Sequence, residues 1–524
     1  MSSTPTAELK GLNLDEAKKP AAAAKWFEWH SKGGGVFWKD FEKASKKLGD
    51  MGITAAWLPP PTKASSQEGN GYDIYDLYDL GEFDAKGGKR TKWGTKEEYI
   101  SCIKESKKNG IVIYVDAVLN HKAGADFTET FKVIDVDPDD RTKEISGEHD
   151  IDGWTGFNFP GRKGQHSKFE WNFNHFTGVD WDAKTEKKAI YKICGENKGW
   201  AQAVDKEGGK TDYVAVYQLM FADCDHSHPA VRDDMHAWGE WIVKETGIEG
   251  FRFDAIKHMD ENFCAGFVNH VREKLNNEDM FCVGEFWKDS IESLTGYLDR
   301  FDTQFSIFDT PLHYNFKQAS DQGDEFDIRS VWDGTLVKER PMDAVTLVDN
   351  HDTQPGESLE SWIDPTFKPL GYALILFRAD GSLDSPRPRY PCVFWGDLYG
   401  CNSEPHVEPM AQLDDFIRIR KIYTYGPTRD YWDHPNCAGW VREGDAEHEG
   451  CAVVICNGSG EGEKRMQLAD GHAGEVWTDL LGWSQGEVTI GDDGWADFKC
   501  PAHSVSVWAQ KDGKARDEFN NRVE

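Results

Sequence analysis

Three carboxylates stand where a short strand would end: Asp254 in GFRFDAIKH (Gly250–His258), Glu285 in FCVGEFW (Phe281–Trp287) and Asp352 in TLVDNHDTQ (Thr346–Gln354). Carboxyl groups gathered on the strand ends of one sheet suit glycosidic-bond chemistry, where one acts as nucleophile or base and another as acid. Side chains alternate along a strand, so Arg252 and Asp254 share one face while Phe251 and Phe253 share the other. An Arg and an Asp buried in a hydrophobic strand are costly unless paired or used. At the carboxyl end of a parallel barrel strand they open into a cleft instead. Any one of these acids taken alone is more often a helix cap or a loop residue. Caps do not account for Arg252, Asp254 and His258, Glu285, and the pair His351-Asp352 together.

The elements that must position them alternate between apolar runs and helix-period segments. The runs are ITAAWL (Ile53–Leu58), IVIYVDAV (Ile111–Val118), GFRFD, FCVGE, TQFSIFD (Thr303–Asp309), AVTLVD (Ala344–Asp349) and YPCVFW (Tyr390–Trp395). With an initial strand expected near Trp26–Trp29 they make eight. Between Asp254 and Glu285, the residues Phe263, Phe267, Val271 and Leu275 recur every four positions. A helix over Pro229–Thr246 opens on Pro, carries the stripe Val231, Met235, Trp238 and Ile242, and stops at Gly247. Eight such units predict a (β/α)₈ barrel over 24–121 and 223–424. The stretch 122–222 lacks helical periodicity and is too long for a bare loop, so it reads as an inserted domain. From about Tyr425 to 511, short strands divided by Gly-rich turns predict an antiparallel sandwich. Residues 1–23 read as an extension and 512–524 as a polar tail.

Composition narrows the class. The 524 residues, 39% hydrophobic and 13% aromatic, can build a large core over several domains. A net charge of −32 argues against nucleic acid and anionic membranes as partners. No run of 18 apolar residues is present, so no membrane-spanning helix is expected. The start of the chain shows no apolar segment behind basic residues, and the eleven Cys are an odd number, several within apolar strands. A cytoplasmic, monomeric protein with reduced thiols is the expectation. Most of the 21 Trp should pack in the core, with a few left to stack on sugar rings.

The motifs DAVLNH (Asp116–His121), GFRFDAIKH, GEFW (Gly284–Trp287) and VDNHD (Val348–Asp352) closely resemble, in order and spacing, the four signature regions of the α-amylase family, glycoside hydrolase family 13. LMFADCD (Leu219–Asp225) looks like a further signature, and the likeness runs from about Ala24 to Lys511. It is greatest toward liquefying bacterial α-amylases and intracellular fungal ones. The resemblance implies retaining hydrolysis of α-1,4-glucans, with Asp254 as nucleophile, Glu285 as acid and then base, and Asp352 holding substrate hydroxyls. It implies sugar contacts at His121, His258 and His351, a stacking ring at Tyr72 and a leaving-side contact at Lys257; Asp116 and Asn120 would be supportive. On physical grounds Arg252 should favour an ionised Asp254. Enclosure and neighbouring acids should keep Glu285 protonated. Adjacent strand ends suit the ~5–5.5 Å carboxyl separation of a retaining enzyme.

Calcium is where the sequence departs from the family. Asn120, Asp223 and Asp225 match ligand positions, whereas Thr177, Ala201, Tyr217 and Ser227 stand where carboxylates are expected. A calcium ion needs six or more oxygens, so no cofactor is expected, with Asn120 and Asp223 the core of any residual site. A nearby acid such as Asp205 or Asp212 would be a substitute ligand, and packing by Tyr213, Tyr217 and Phe221 would otherwise hold the insert. Two further readings stay open. A 4-α-glucanotransferase would use the same three carboxylates on maltooligosaccharides. A non-catalytic barrel would be expected to lack one of them.

Overall fold

The structure is a computed structural model that describes residues 22–196, 198–200, 221–260, 262–301, 305–378 and 390–520. Eight parallel strands close a barrel: β1 (Ala23–Lys25), β2 (Ala55–Trp57), β3 (Val112–Ala117), β4 (Gly250–Phe253), β5 (Phe281–Gly284), β6 (Ser306–Phe308), β7 (Ala344–Leu347) and β8 (Tyr390–Phe394). Each pairs with the next in sequence, and β1 closes the ring against β8 and β2. The first strand therefore lies three residues earlier than the expected Trp26–Trp29. Small Ala23 and Ala24 fit between Ala55–Ala56 and Cys392–Val393, while the bulky Trp26–Trp29 run continues past the strand end.

The period of two sorts the side chains. Ala23, Ala55, Trp57, Tyr114, Phe281, Val283, Val345, Leu347, Tyr390 and Cys392 fill the barrel interior. Phe251 and Phe253 face outward onto Phe267 of the helix Phe263–Leu275, at ring distances of 5.5 and 5.4 Å. Low in the barrel the Tyr114 and Tyr390 hydroxyls meet at 2.7 Å, each ring 4.9 Å from Phe281. The interior is thus a packed plug, and polar groups find room only at the carboxyl ends. Helix Pro229–Thr246 runs as its stripe predicts, with Val231, Met235, Trp238 and Ile242 buried and Gly247 in the left-handed region at φ 77°.

After β3 the chain builds the expected insert, a six-stranded antiparallel sheet. Its edge strand His121–Ala123 pairs with the returning strand Phe221–Cys224. The C-terminal domain has a six-stranded sheet that includes Cys437–Arg442, Cys451–Cys456 and Ser504–Gln510, and a two-stranded sheet of Gly462–Gln467 with Trp495–Cys500. All eleven Cys are free. The polar tail departs from its reading: Lys514–Asn520 forms a helix whose Phe519 is buried. A single aromatic anchor is too sparse a signal to reveal a helix by periodicity. Among the described residues no helix is long and apolar enough to cross a membrane.

Candidate active site

Inward parity carries Asp116 on β3, Arg252 on β4 with Asp254 just past its end, and Glu285 just past β5 to one place. The register pairs Arg252 with Asp116 and with Val283, so the acids that follow lie side by side. The Arg252 guanidinium is fully buried and joins them. One of its terminal nitrogens donates to Asp116 Oδ1 at 2.7 Å and to Asp254 Oδ1 at 2.8 Å, and the other donates to Glu285 Oε2. Its face lies 4.4 Å from the Trp57 ring. Asp116 Oδ2 accepts from Trp57 Nε1 and from the Tyr72 hydroxyl, both at 2.8 Å. Asp116 is thus consumed by structural bonds, while Asp254 and Glu285 each give one carboxyl oxygen to Arg252.

After Asp254 the backbone turns at Ala255, a left-handed residue at φ 51°. That conformation costs a non-glycine residue about 1 kcal/mol. It ends β4 abruptly and leads into the short turn Ile256–His258, closed by Ile256 N donating to Glu285 O at 3.1 Å. Lys257 reaches across to Trp287 O at 3.0 Å. Asp352 arrives from the loop after β7, its amide held by Asn350 Oδ1 at 2.8 Å and its carboxylate 3.4 Å from His351 Nε2.

Burial dominates the electrostatics. It pushes the Asp254 carboxyl up to about 7 against the pull of Arg252, with Glu285 and Asp116 adding to the rise. Arg252 favours the ionised form, as expected, but desolvation outweighs one shared guanidinium. Asp352 is raised well above the usual carboxylate range by burial and by Glu285, with Arg252 and Lys25 opposing. Burial likewise lowers His121 to about 4 and takes His258 and His351 well below the ordinary histidine value. The three imidazoles are therefore neutral at pH 7, able both to donate and to accept hydrogen bonds from sugar hydroxyls. His121 Nε2 is 2.7 Å from Tyr72 O, and its ring stacks on Phe221 at 4.8 Å.

Beside the Arg252 cluster the Tyr72 hydroxyl meets Asp116 and His351 stacks on the Tyr72 ring at 5.2 Å, and two residues that the sequence reading passed over join them. Trp29 stacks on Tyr72 at 5.7 Å and 12° and on His351 at 5.7 Å and 24°, extending Tyr72 into a broader aromatic wall. Lys25 points inward from β1, 1% exposed, with its ammonium 2.6 Å from Phe27 O and 3.5 Å above the Phe27 ring. Burial depresses its charge, and Asp352 opposes that. Lys25 in turn favours the Asp352 carboxylate. Lys25→Met should therefore raise the Asp352 carboxyl further and move the acidic limb of kcat/KM to higher pH, a shift that an initial-rate pH profile reads directly.

Asn120 and Asp223 lie outside this cleft, where the insert joins the barrel. Asp223 pairs across the sheet with His121 and accepts from the Thr177 hydroxyl, and Asn120 O accepts from Cys224 N at 2.9 Å. Ala201, Asp205, Asp212, Tyr213 and Tyr217 fall outside the described residues. Among the described residues no three His, Cys, Asp or Glu side chains converge as a metal centre would require.

Comparison with known proteins finds one family over most of the chain. The family described as "Alpha amylase, catalytic domain" matches residues 45–359, and "Alpha-amylase C-terminal" matches residues 452–509. The chain is 44% identical over 492 residues to an α-amylase of Bacillus licheniformis, covering 93% of each protein. It is 39% identical to the cytoplasmic α-amylase of Escherichia coli, covering 92% of this chain and 97% of that protein. Its fold matches the crystal structure of an α-amylase from Geobacillus thermoleovorans at a TM-score of 0.60 and 17% identity, covering 94% and 98%.

Proposed function

The chain belongs to the α-amylase family, and on that premise we propose that it cleaves internal α-1,4-glucosidic bonds of starch, glycogen and maltooligosaccharides with retention of configuration. The observation that carries this reading is the single guanidinium shared by Asp254 and Glu285 at the ends of neighbouring strands. A cation common to both carboxyls supports a double displacement, in which the two groups lie closer than an intervening water would allow. Asp254 attacks the anomeric carbon while Glu285 gives its proton to the departing glycosidic oxygen. Water then enters on the leaving side, Glu285 takes its proton, and the glycosyl ester on Asp254 is released. Asp352 and the neutral His121, His258 and His351 bind sugar hydroxyls around the scissile bond. Tyr72 and Trp29 offer the apolar sugar face a stacking surface, and Lys257 borders the leaving side. The name of the Escherichia coli relative and the eleven free thiols support a cytoplasmic setting. The protein acts as a monomer on this reading.

Maltoheptaose tests the chemistry. Proton NMR during the first turnovers should find new reducing ends in the α configuration and a mixture of short internal-cleavage products, little altered by added glucose. β anomers would overturn retention. Chains longer than maltoheptaose, growing when glucose is supplied as acceptor, would make the enzyme a glucanotransferase instead.

A further inference from the structure

At the junction of insert and barrel, a cation of the chain's own meets three oxygens. Lys198 follows the strand Lys187–Ile193 and turns its ammonium toward the start of the strand Phe176–Asp182 and the end of Phe221–Cys224. It donates to Asp225 Oδ2 at 2.6 Å, to Phe176 O at 3.1 Å and to Asn174 O. An ammonium has three N–H groups, and all three are used. The Lys198 and Asp225 side chains are only 8% and 6% exposed. The other Asp225 oxygen accepts from Ser227 N at 3.1 Å and Ser227 Oγ at 2.5 Å. Asp225 N is in turn fixed to His175 O at 2.9 Å.

Around Asp225 these residues do not fit a divalent ion. Calcium takes six to eight oxygens at about 2.3–2.6 Å. Here Thr177 and Ser227, at two positions where the family places carboxylates, spend their hydroxyl protons on Asp223 and Asp225. The Asp225 carboxylate is already neutralised by an ammonium, which would repel a dication at contact range. We propose that the Lys198 ammonium takes the place of the structural cation at this junction. It pins the insert to the barrel by binding two main-chain carbonyls and Asp225 together. Because Asp223, two residues before Asp225, pairs with His121, the same clamp fixes one wall of the cleft.

Calorimetry of the full chain, with metal content measured on the same samples, tests this. The wild-type protein should carry well under one calcium per chain, and its Tm should move by less than about 1 °C in EDTA or in millimolar calcium. Lys198→Ala should melt roughly 5 °C lower or more, because it strands a buried carboxylate. Lys198→Met, which keeps the bulk and loses the charge, should melt lower without responding to calcium. A wild-type Tm that collapses in EDTA and returns with calcium would overturn the proposal. So would either variant melting with the wild type. The wild-type measurements decide even where Lys198→Ala does not accumulate as folded protein.

Discussion

Asp254→Asn is expected to lose turnover by roughly four to six orders of magnitude, since residues that act as a unit fail together. The fold should survive. The amide nearly matches the carboxylate in shape, and its oxygen can still accept from Arg252. Stability adds a signed check. Burial raises the folded-state carboxyl of Asp254 to about 7, above its unfolded value, so the native state holds this proton more tightly. The stability from that proton is fully present below the unfolded value and is lost as pH rises through about 7. The Asn variant has no charge to bury, so its Tm at pH 8 should equal or exceed that of the wild type. Turnover of the wild type should fall as pH drops through the same range, because the protonated acid cannot attack. Starch hydrolysis within tenfold of wild type in the Asn variant would remove Asp254 from the chemistry.

Arg252→Met should be the most destabilising single change in the cleft. It deletes a fully buried charge and leaves Asp116, Asp254 and Glu285 crowded without their counter-ion. Breaking a buried ion pair from one side costs about 3–5 kcal/mol. Urea unfolding of wild type and variant would measure it. The expected loss is largest at alkaline pH, where all three acids must ionise, and smaller toward acid pH, where protons replace the missing charge. Arg252→Lys keeps a charge but not the planar fork that reaches three carboxylates, so it should fall between the two. A variant as stable as the wild type at pH 8 would mean that the acids do not depend on the guanidinium.

The acidic machinery was legible in the sequence because its determinants are local. Alternation along GFRFD places Arg252 and Asp254 on one face whatever surrounds them, and the same parity lifts Glu285 above Phe281 and Val283. The helix stripes around Met235 and Phe267 were equally plain. Lys25 was not, and the reason is specific: with the first strand read at Trp26–Trp29, the inward parity of Ala23, Lys25 and Phe27 could not be seen. Trp29 was hidden for a related reason. Its partners Tyr72 and His351 come from distant segments, and no spacing along the chain announces three stacked rings. Lys198 lies in a stretch without periodicity, so only the folded junction reveals what its ammonium meets.

By itself, then, the sequence determined which carboxylates exist, the order in which strands present them, and the face each occupies, because periodicity and short motifs are properties of a few consecutive residues. The tertiary structure decided what those groups meet and how they ionise. The register of β3, β4 and β5 lines up their carboxyl ends, so that one guanidinium binds acids from all three. Enclosure then strips water from Asp254 until desolvation outweighs that guanidinium. The return of the insert lays Asp225 against Lys198. Neighbours across a closed barrel and the removal of water are collective outcomes of packing, and no residue type or spacing encodes them alone.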